Sequence, residues 1–152
     1  MKTKFEAIYE YEGLGFPVML ENVEMFYIND EWYPKIDVHH IANKIIQELA
    51  VQEDKLTGNQ LKFIRSYFAM PLRQFGMEVV HESHTAVNKW EKHGNQITNM
   101  NENTEQVLRL YIIEHTQTQR EEKLFFRKFQ KTKVFAKSKN TKPKPIKLNL
   151  CA

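Results

Sequence analysis

The chain has 152 residues, which suits one domain of ordinary size or two small modules and excludes a large multidomain enzyme. Apolar residues make up 41% of it and aromatic residues 12%, enough to bury a core, so a disordered chain is also excluded. The net charge of +3 conceals a split: residues 1–54 carry 4 Lys/Arg against 11 Asp/Glu, residues 55–119 carry 7 against 6, and residues 120–152 carry 11 against 2. This distribution indicates that different parts of the chain meet different partners.

Several further classes of protein are disfavoured by the absence of their signals. No apolar run approaches the roughly 20 residues that a membrane span needs, and the first residues lack the apolar stretch of a secretory signal. The single cysteine, Cys151, excludes an internal disulfide and a cysteine-built zinc site. Neither a glycine-rich phosphate loop after a strand nor a nucleophile elbow is present, so we expect no enzyme. The sequence predicts a cytoplasmic protein without membrane, metal or cofactor.

The predicted fold class is α+β, and residues 1–54 are predicted to be its acidic β/α unit, able to bind a partner or to dimerise. Apolar residues alternate with polar ones in two stretches, first Phe5, Ala7, Tyr9 and Tyr11 and then Phe16, Val18 and Leu20. A third apolar run, 23–28, ends at the turn signal Asn29-Asp30. After this small antiparallel sheet, Asp37 caps a helix whose apolar stripe is Val38, Ile41, Ile45 and Leu49.

Residues 55–119 are predicted to form a bundle of four to five short helices, separated from the first unit at the acidic connection 52–55. Start and stop signals follow in order: the capping box Thr57-x-x-Gln60, Pro71, Ser83, the stop Gly94, and Asn101 or Asn103. Each helix has an apolar side, made in turn of Leu61, Ile64 and Phe68; Leu72, Phe75, Val79 and Val80; Ala86, Val87 and Trp90; and Val107, Leu108, Tyr111 and Ile112.

Residues 120–152 form a basic C-terminal extension. Leu124, Phe125, Phe126 and Phe129 predict a helix with an aromatic face, and the Lys-rich segment 131–145 predicts a loop or flexible arm. Ile146, Leu148 and Leu150 alternate like a strand that would join the N-terminal sheet. The basic residues suit a phosphate backbone, but such arms are equally often solvated or paired with an acidic surface such as 1–54.

The second and third helices of the bundle carry the strongest functional signal. A helix-turn-helix needs a small buried residue where the helices cross, an apolar residue at the turn and a third helix with a polar face that is not acidic. Gly76 and Val80 meet the first two needs. The third helix turns His84, Thr85, Asn88, Lys89 and Lys92 outward, and such groups suit base edges and phosphates. A polar face with two lysines is also typical of ordinary solvated surface.

The block 56–113 resembles the helix-turn-helix of the phage-repressor-like (XRE) superfamily, and is most similar to the C-terminal domain of MqsA-like antitoxins. The matching elements are Leu56-Thr57-Gly58, Ile64-Arg65, Val87-Asn88-Lys89-Trp90-Glu91-Lys92 and, for the fourth helix, Leu108-Arg109-Leu110. The segment 13–23 resembles one found before this domain in such proteins. The sequence departs from the family in lacking the cysteines of its zinc module, in Arg73 where Gln is common and in His81 where the turn often has Gly.

The resemblance implies a sequence-specific DNA-binding transcriptional regulator, the antitoxin and autorepressor of a type II toxin–antitoxin pair. The implied DNA-binding residues are Thr85, Asn88 and Lys89 at base edges and Arg73, Ser83, His84 and Lys92 at phosphates. A single helix reads few base pairs, so a homodimer on a two-fold double-stranded operator is expected. A basic toxin would suit the acidic segment 1–54 electrostatically.

Two other interpretations stay open at this point. The helical bundle is structural in the first, and the aromatic, basic C-terminal segment docks a partner protein. In the second, the chain binds RNA or single-stranded nucleic acid through stacking on Tyr, Phe and Trp. Most of the aromatic residues lie on predicted inward stripes, which ranks this last interpretation third.

Overall fold

A computed structural model describes residues 2–116 and 143–150, which fold as a small β-sheet and five α-helices. The mixed α+β class predicted from the sequence is therefore confirmed. In chain order the elements are β1 (Thr3–Tyr11), β2 (Val18–Ile28), β3 (Glu31–Pro34), α1 (Val38–Val51), α2 (Gly58–Tyr67), α3 (Leu72–Phe75), a π-helical turn (Gly76–Val80), α4 (His84–Glu91), α5 (Glu102–Thr116) and β4 (Ile146–Asn149). None of the described helices is long and apolar enough to cross a membrane. The predicted aromatic helix at 124–129 and residues 131–142 of the predicted arm lie outside the described residues.

The sheet is built around β2. β1 pairs with it antiparallel from Thr3 opposite Phe26 to Tyr11 opposite Val18, with an interruption at Ala7 and Asn22. On the other side of β2, β3 pairs antiparallel with its second half and β4 pairs parallel with its first half. The predicted antiparallel unit is confirmed, and the alternating residues near the C-terminus do add a strand to it.

The sheet departs from simple alternation at Asn22. Val18 and Leu20 are buried on one face, and after Asn22 the buried positions become Val23 and Met25. Asn22 adopts a left-handed conformation with φ 56°, which reverses the direction of the side chains while the register with β1 continues unchanged. The sequence pattern predicts Phe5 on the same face as Tyr9 and Tyr11. This prediction is wrong for Phe5, which is 66% exposed, because the reversal moves it to the opposite face.

The described residues pack as two compact units, one comprising 2–45 and 144–150 and the other 46–116 with Pro143. The division between them falls inside α1. Asp37 caps α1 as predicted, since its carboxylate accepts from the N–H of His40 at 3.3 Å. The predicted stripe is buried except at Val38, which is 49% exposed because it lies in the first turn of the helix.

The second unit has one apolar core shared by α2, α3, the π-helical turn, α4 and α5. The capping box at the start of α2 is confirmed: the Thr57 hydroxyl accepts from the N–H of Gln60 at 3.1 Å, and the Gln60 amide oxygen accepts from the N–H of Thr57 at 3.1 Å. α5 begins next to Asn101, as expected. Val107 was predicted to face inward but is 43% exposed, because Leu108 and Ile112 already fill the inward side of α5. The core includes Leu56, Leu61, Ile64, Phe75, Val79, Val80, Val87, Trp90, Leu108, Ile112 and Ile113, together with Ile46, Leu49, Ala50 and Val51 of α1 and Met100.

A buried ion pair joins α5 to the connection that follows α1. Arg109 donates to Glu105 at 2.9 Å, and both side chains are almost fully buried, with exposures of 0% and 1%. The guanidinium also donates to the main-chain carbonyls of Gln52 and Asp54, the latter at 2.7 Å, while the Glu105 carboxylate accepts from the N–H of Leu56 at 3.1 Å. Burial raises the pKa of Glu105, and the neighbouring guanidinium opposes that shift. The pair thereby fixes the main chain from 52 to 56 against α5.

We expect Arg109→Met to lower the free energy of unfolding by about 3–5 kcal/mol. The substitution nearly preserves volume, but it leaves the Glu105 carboxylate buried without its cation and two carbonyls without their donor. Urea unfolding followed by circular dichroism measures the loss.

The control is the double variant Glu105→Gln/Arg109→Met, which removes both charges and keeps an acceptor for the N–H of Leu56. It should recover about 1 kcal/mol or more relative to Arg109→Met alone, since no isolated charge stays buried. A double variant no more stable than Arg109→Met would contradict the ion-pair account.

Candidate nucleic-acid interface

A tight connection leads from α3 into α4. α3 continues without a break through the π-helical turn, which ends at His81 in the left-handed conformation, with φ 55° and ψ 41°. The N–H of Glu82 then donates to the carbonyl of Gly76 at 3.0 Å and closes the turn. His81 therefore adopts the conformation for which glycine is favoured, at a cost of roughly 1–2 kcal/mol for a residue with a side chain. The turn predicted from Gly76, Val80 and Ser83 is present.

Gly76 is required by this connection for a steric reason. A Cβ atom placed on Gly76 would lie 2.5 Å from the carbonyl oxygen of Glu82, a main-chain atom that cannot move without shifting the turn. The same Cβ would lie 3.4 Å from the N–H nitrogen of His84, the first residue of α4. Gly76, the small residue that the sequence predicts at the helix crossing, thus lets the turn and the start of α4 approach α3 closely.

α4 begins after the cap that the sequence predicted, and it ends at Glu91, three residues before the predicted stop Gly94. The Ser83 hydroxyl caps it by accepting from the N–H of Ala86 at 3.1 Å. Val87 and Trp90 are buried beneath it. Gly94 follows in the left-handed region with φ 61°, which ends the helical path. α4 is therefore a short helix with one side packed on the core and the other side exposed to solvent.

A second ion pair holds the C-terminal end of α4 against α2. Arg65 donates to both carboxylate oxygens of Glu91, at 2.8 and 3.0 Å, and to the main-chain carbonyl of Met70 at 3.1 Å. This hydrogen bonding to Glu91 raises the pKa of Arg65. At the same junction, a Cβ on Gly58 would lie 2.6 Å from the carbonyl oxygen of Trp90, so α2 starts in close contact with α4.

Sequence reasoning missed the pairing of Arg65 with Glu91. The two residues lie 26 positions apart on different helices, and in the sequence each looks like an ordinary charged surface residue. A signal was present: each stands next to a residue of an apolar stripe, Ile64 and Trp90, and so lies at the edge of a buried helix face. Such edge positions are where partly buried ion pairs form.

All seven residues predicted to contact DNA are exposed. Six of them belong to α4 or flank it, and at 3.6 residues per turn those from His84 to Lys92 cover an arc of about 140°. Arg73 lies separately on α3, which packs against α4. The exposed set is Arg73, Ser83, His84, Thr85, Asn88, Lys89 and Lys92.

The exposed arc of α4 is positively charged. Lys89 and Lys92 contribute two cations, and no salt bridge engages either of them within residues 2–116 and 143–150. The acidic residue of α4, Glu91, is turned inward to Arg65 and is neutralised there. Glu82 lies before the helix starts and remains exposed. The residues of the arc itself, His84 to Lys92, therefore offer donors, acceptors and positive charge without an unpaired carboxylate among them.

Comparison with known proteins identified no relative of this chain. No protein-family model matches the chain, and neither a curated protein nor a solved structure matches it. Within the part of the chain that the structure describes, no three His, Cys, Asp or Glu side chains are grouped to hold a metal ion. The geometry of α4 and its turn is thus the basis for any functional assignment.

We expect Gly76→Ala to lower the free energy of unfolding by about 1–3 kcal/mol, because the added methyl group overlaps the Glu82 carbonyl oxygen and must displace the turn. Thermal and urea unfolding measure the loss. The matched control is Met77→Ala at the next position, where the side chain is 74% exposed and a change of at most about 0.5 kcal/mol is expected. Equal losses in the two variants would show that no close approach exists at Gly76.

Proposed function

We propose that this protein is a sequence-specific DNA-binding transcriptional regulator in which residues 55–119 form an XRE-type helix-turn-helix domain. The observation that carries the proposal is the exposed, carboxylate-free arc of α4, set on a rigid turn by Gly76 and His81. A helix held in this way, apolar side down and polar side free, fits the major groove of B-DNA. The resemblance of the sequence to the XRE superfamily supports the same conclusion.

The proposed roles follow the chemistry of the exposed groups. Thr85, Asn88 and Lys89 face base edges: the amide of asparagine can pair with adenine in two hydrogen bonds, and lysine can donate to guanine. The remaining groups hold phosphates through positive charge or hydrogen-bond donors. These phosphate-contacting residues are Arg73, Ser83, His84 and Lys92.

The regulator acts as a homodimer and, by resemblance, as the antitoxin and autorepressor of a type II toxin–antitoxin pair. A helix of eight residues contacts too few base pairs for useful affinity alone, and a two-fold operator with half-sites about one helical turn apart doubles the contacts. Residues 1–54, with 4 basic against 11 acidic residues, are repelled by phosphate and bind a basic toxin instead.

The double variant Asn88→Ala/Lys89→Ala should lose specific DNA binding and keep its fold, because both side chains are exposed and neither contributes to the core. We expect at least about thirtyfold weaker binding to a duplex from the region upstream of the protein's own gene, since each of the two base contacts contributes about 1–3 kcal/mol. Electrophoretic mobility shift against a random duplex measures specificity, and a thermal melt checks the fold.

The chain offers a matched control in Asn43→Ala/Lys44→Ala. This pair has the same two residue types, is also exposed, and lies on α1 in the other compact unit. It loses the same charge and should bind the duplex like the unchanged protein. Retained specific binding by the α4 variant, or equal losses in both variants, would defeat the assignment of α4 as the recognition helix.

The basic extension requires a different test, because deleting residues 120–152 would also remove β4 from the sheet. We therefore propose replacing the nine Lys/Arg between 120 and 142 with Gln in the full chain. If these residues contact phosphates, the plot of log affinity against log salt concentration becomes shallower, by about 0.9 for each lost contact. A slope equal to that of the unchanged protein would remove the extension from the DNA interface.

A further inference from the structure

The outer sheet face is an exposed surface that DNA binding does not use. We define it by the side chains that point away from the buried Val18, Leu20, Val23 and Met25. The outer sheet face carries several large apolar side chains that are exposed to solvent, and such side chains, when grouped, are usually buried against another surface. These are Phe5, Ile8, Ile28 and Tyr33.

The strand register shows that these residues share one face. Phe5 lies opposite Glu24 and Ile8 opposite Glu21, and neither glutamate is on the buried side of β2. Tyr33 lies opposite Phe26, two positions beyond Glu24 on the same strand. Ile28 follows two positions further, so period-two geometry places all of them on the outer sheet face.

Acidic side chains surround this apolar surface. Glu10, Glu21, Glu24 and Glu31 lie on the outer sheet face by the same register argument. Two ammonium groups partly offset these carboxylates: that of Lys35 lies 3.6 Å from the carboxylate of Glu24, and Lys147 lies opposite Met19 on the same face. Four carboxylates thus stand against two cations. The face therefore combines exposed apolar groups with an excess of negative charge, in a chain segment that is acidic as a whole.

The outer sheet face ends at an open strand edge. β1 pairs with β2 only, within the described residues, and its nine residues contain no proline that would block further pairing. On the side of β2 away from β1, the carbonyl of Glu24 accepts from the N–H of Lys35 at 2.8 Å and the carbonyl of Glu21 accepts from the N–H of Leu150 at 3.4 Å. The register partners of these two glutamates, Phe5 and Ile8, therefore direct their own N–H and C=O groups to the open edge.

We propose that β1 and the outer sheet face bind an extended, basic segment of a partner protein, which adds to the sheet as a further strand. Main-chain hydrogen bonds to Phe5 and Ile8 provide affinity, apolar side chains of the partner cover the exposed ones, and its cations meet Glu10 and Glu21. A second copy of this chain is a poorer occupant, because two acidic edges would then lie side by side. The inference rests on the partner-binding part of the proposed function and is independent of DNA binding.

The test uses the full chain and a labelled peptide as long as β1, nine residues in which pairs of lysines alternate with pairs of valines, so that each face of the added strand carries both residue types. Fluorescence anisotropy at low salt should show binding at least tenfold tighter than that of a control peptide with glutamate in place of lysine. Binding should weaken as salt rises, because the attraction is between charges at the surface.

Two substitutions at one position test the strand-addition geometry. Ile8→Pro removes the N–H that points to the open edge and leaves the bonds to β2 in place, so it should weaken peptide binding at least tenfold. Ile8→Thr keeps the N–H and the strand propensity, and should retain binding within about threefold. Glu10→Gln/Glu21→Gln, which should fold in any case, is expected to flatten the salt dependence.

Three outcomes would overturn the proposal. The first is equal binding of the lysine and glutamate peptides, or no binding of either. The second is equal affinity of Ile8→Pro and the unchanged protein. The third is a concentration-dependent dimer in sedimentation that Ile8→Pro abolishes, which would assign the edge to a second copy. Asn88→Ala/Lys89→Ala must still bind the peptide, so failure of DNA binding and failure of this inference are distinguishable.

Discussion

The close approach of Gly76 to the Glu82 carbonyl is the constraint on which the candidate interface depends. It allows a turn of few residues between α3 and α4, and the left-handed His81 completes the change of direction. A longer connection would leave α4 free to rotate about its axis, and its polar arc would have no fixed direction. Because the contact is between main-chain atoms, side-chain repacking cannot relieve it, and the orientation of α4 is set by the backbone itself.

Two ion pairs fix the rest of the helical unit around that turn. Arg65 and Glu91 join α2 to the end of α4, and Arg109 with Glu105 joins α5 to the connection at 52–56. Both pairs satisfy main-chain groups as well as each other, which is how buried charges are tolerated. In α4 this has a functional consequence, since inward pairing of Glu91 removes the helix's carboxylate from the exposed side and leaves the lysines unopposed.

The two compact units offer chemically different surfaces. The helical unit exposes a positively charged arc on α4, whereas the sheet unit exposes an acidic, apolar face and an open strand edge. The positively charged arc favours phosphate as a ligand, and the acidic, apolar face favours a basic polypeptide. A regulator that binds DNA with one unit and a partner protein with the other would use both, and either interaction could then be lost without the other.

Local chemistry in the sequence determined the starts and stops of the elements. The capping box at Thr57, the caps Asp37 and Ser83 and the stop Gly94 were all readable, because each acts on main-chain groups only a few residues away. Helical periodicity likewise identified Val87 and Trp90 as the buried side of α4. Tertiary structure alone decided the ion pair of Arg65 with Glu91, the reversal of the sheet face at Asn22 and the exposure of Phe5 and Val107. These features depend on contacts between segments distant in the chain and on single backbone angles. Neither of these two causes produces a periodic pattern in the sequence.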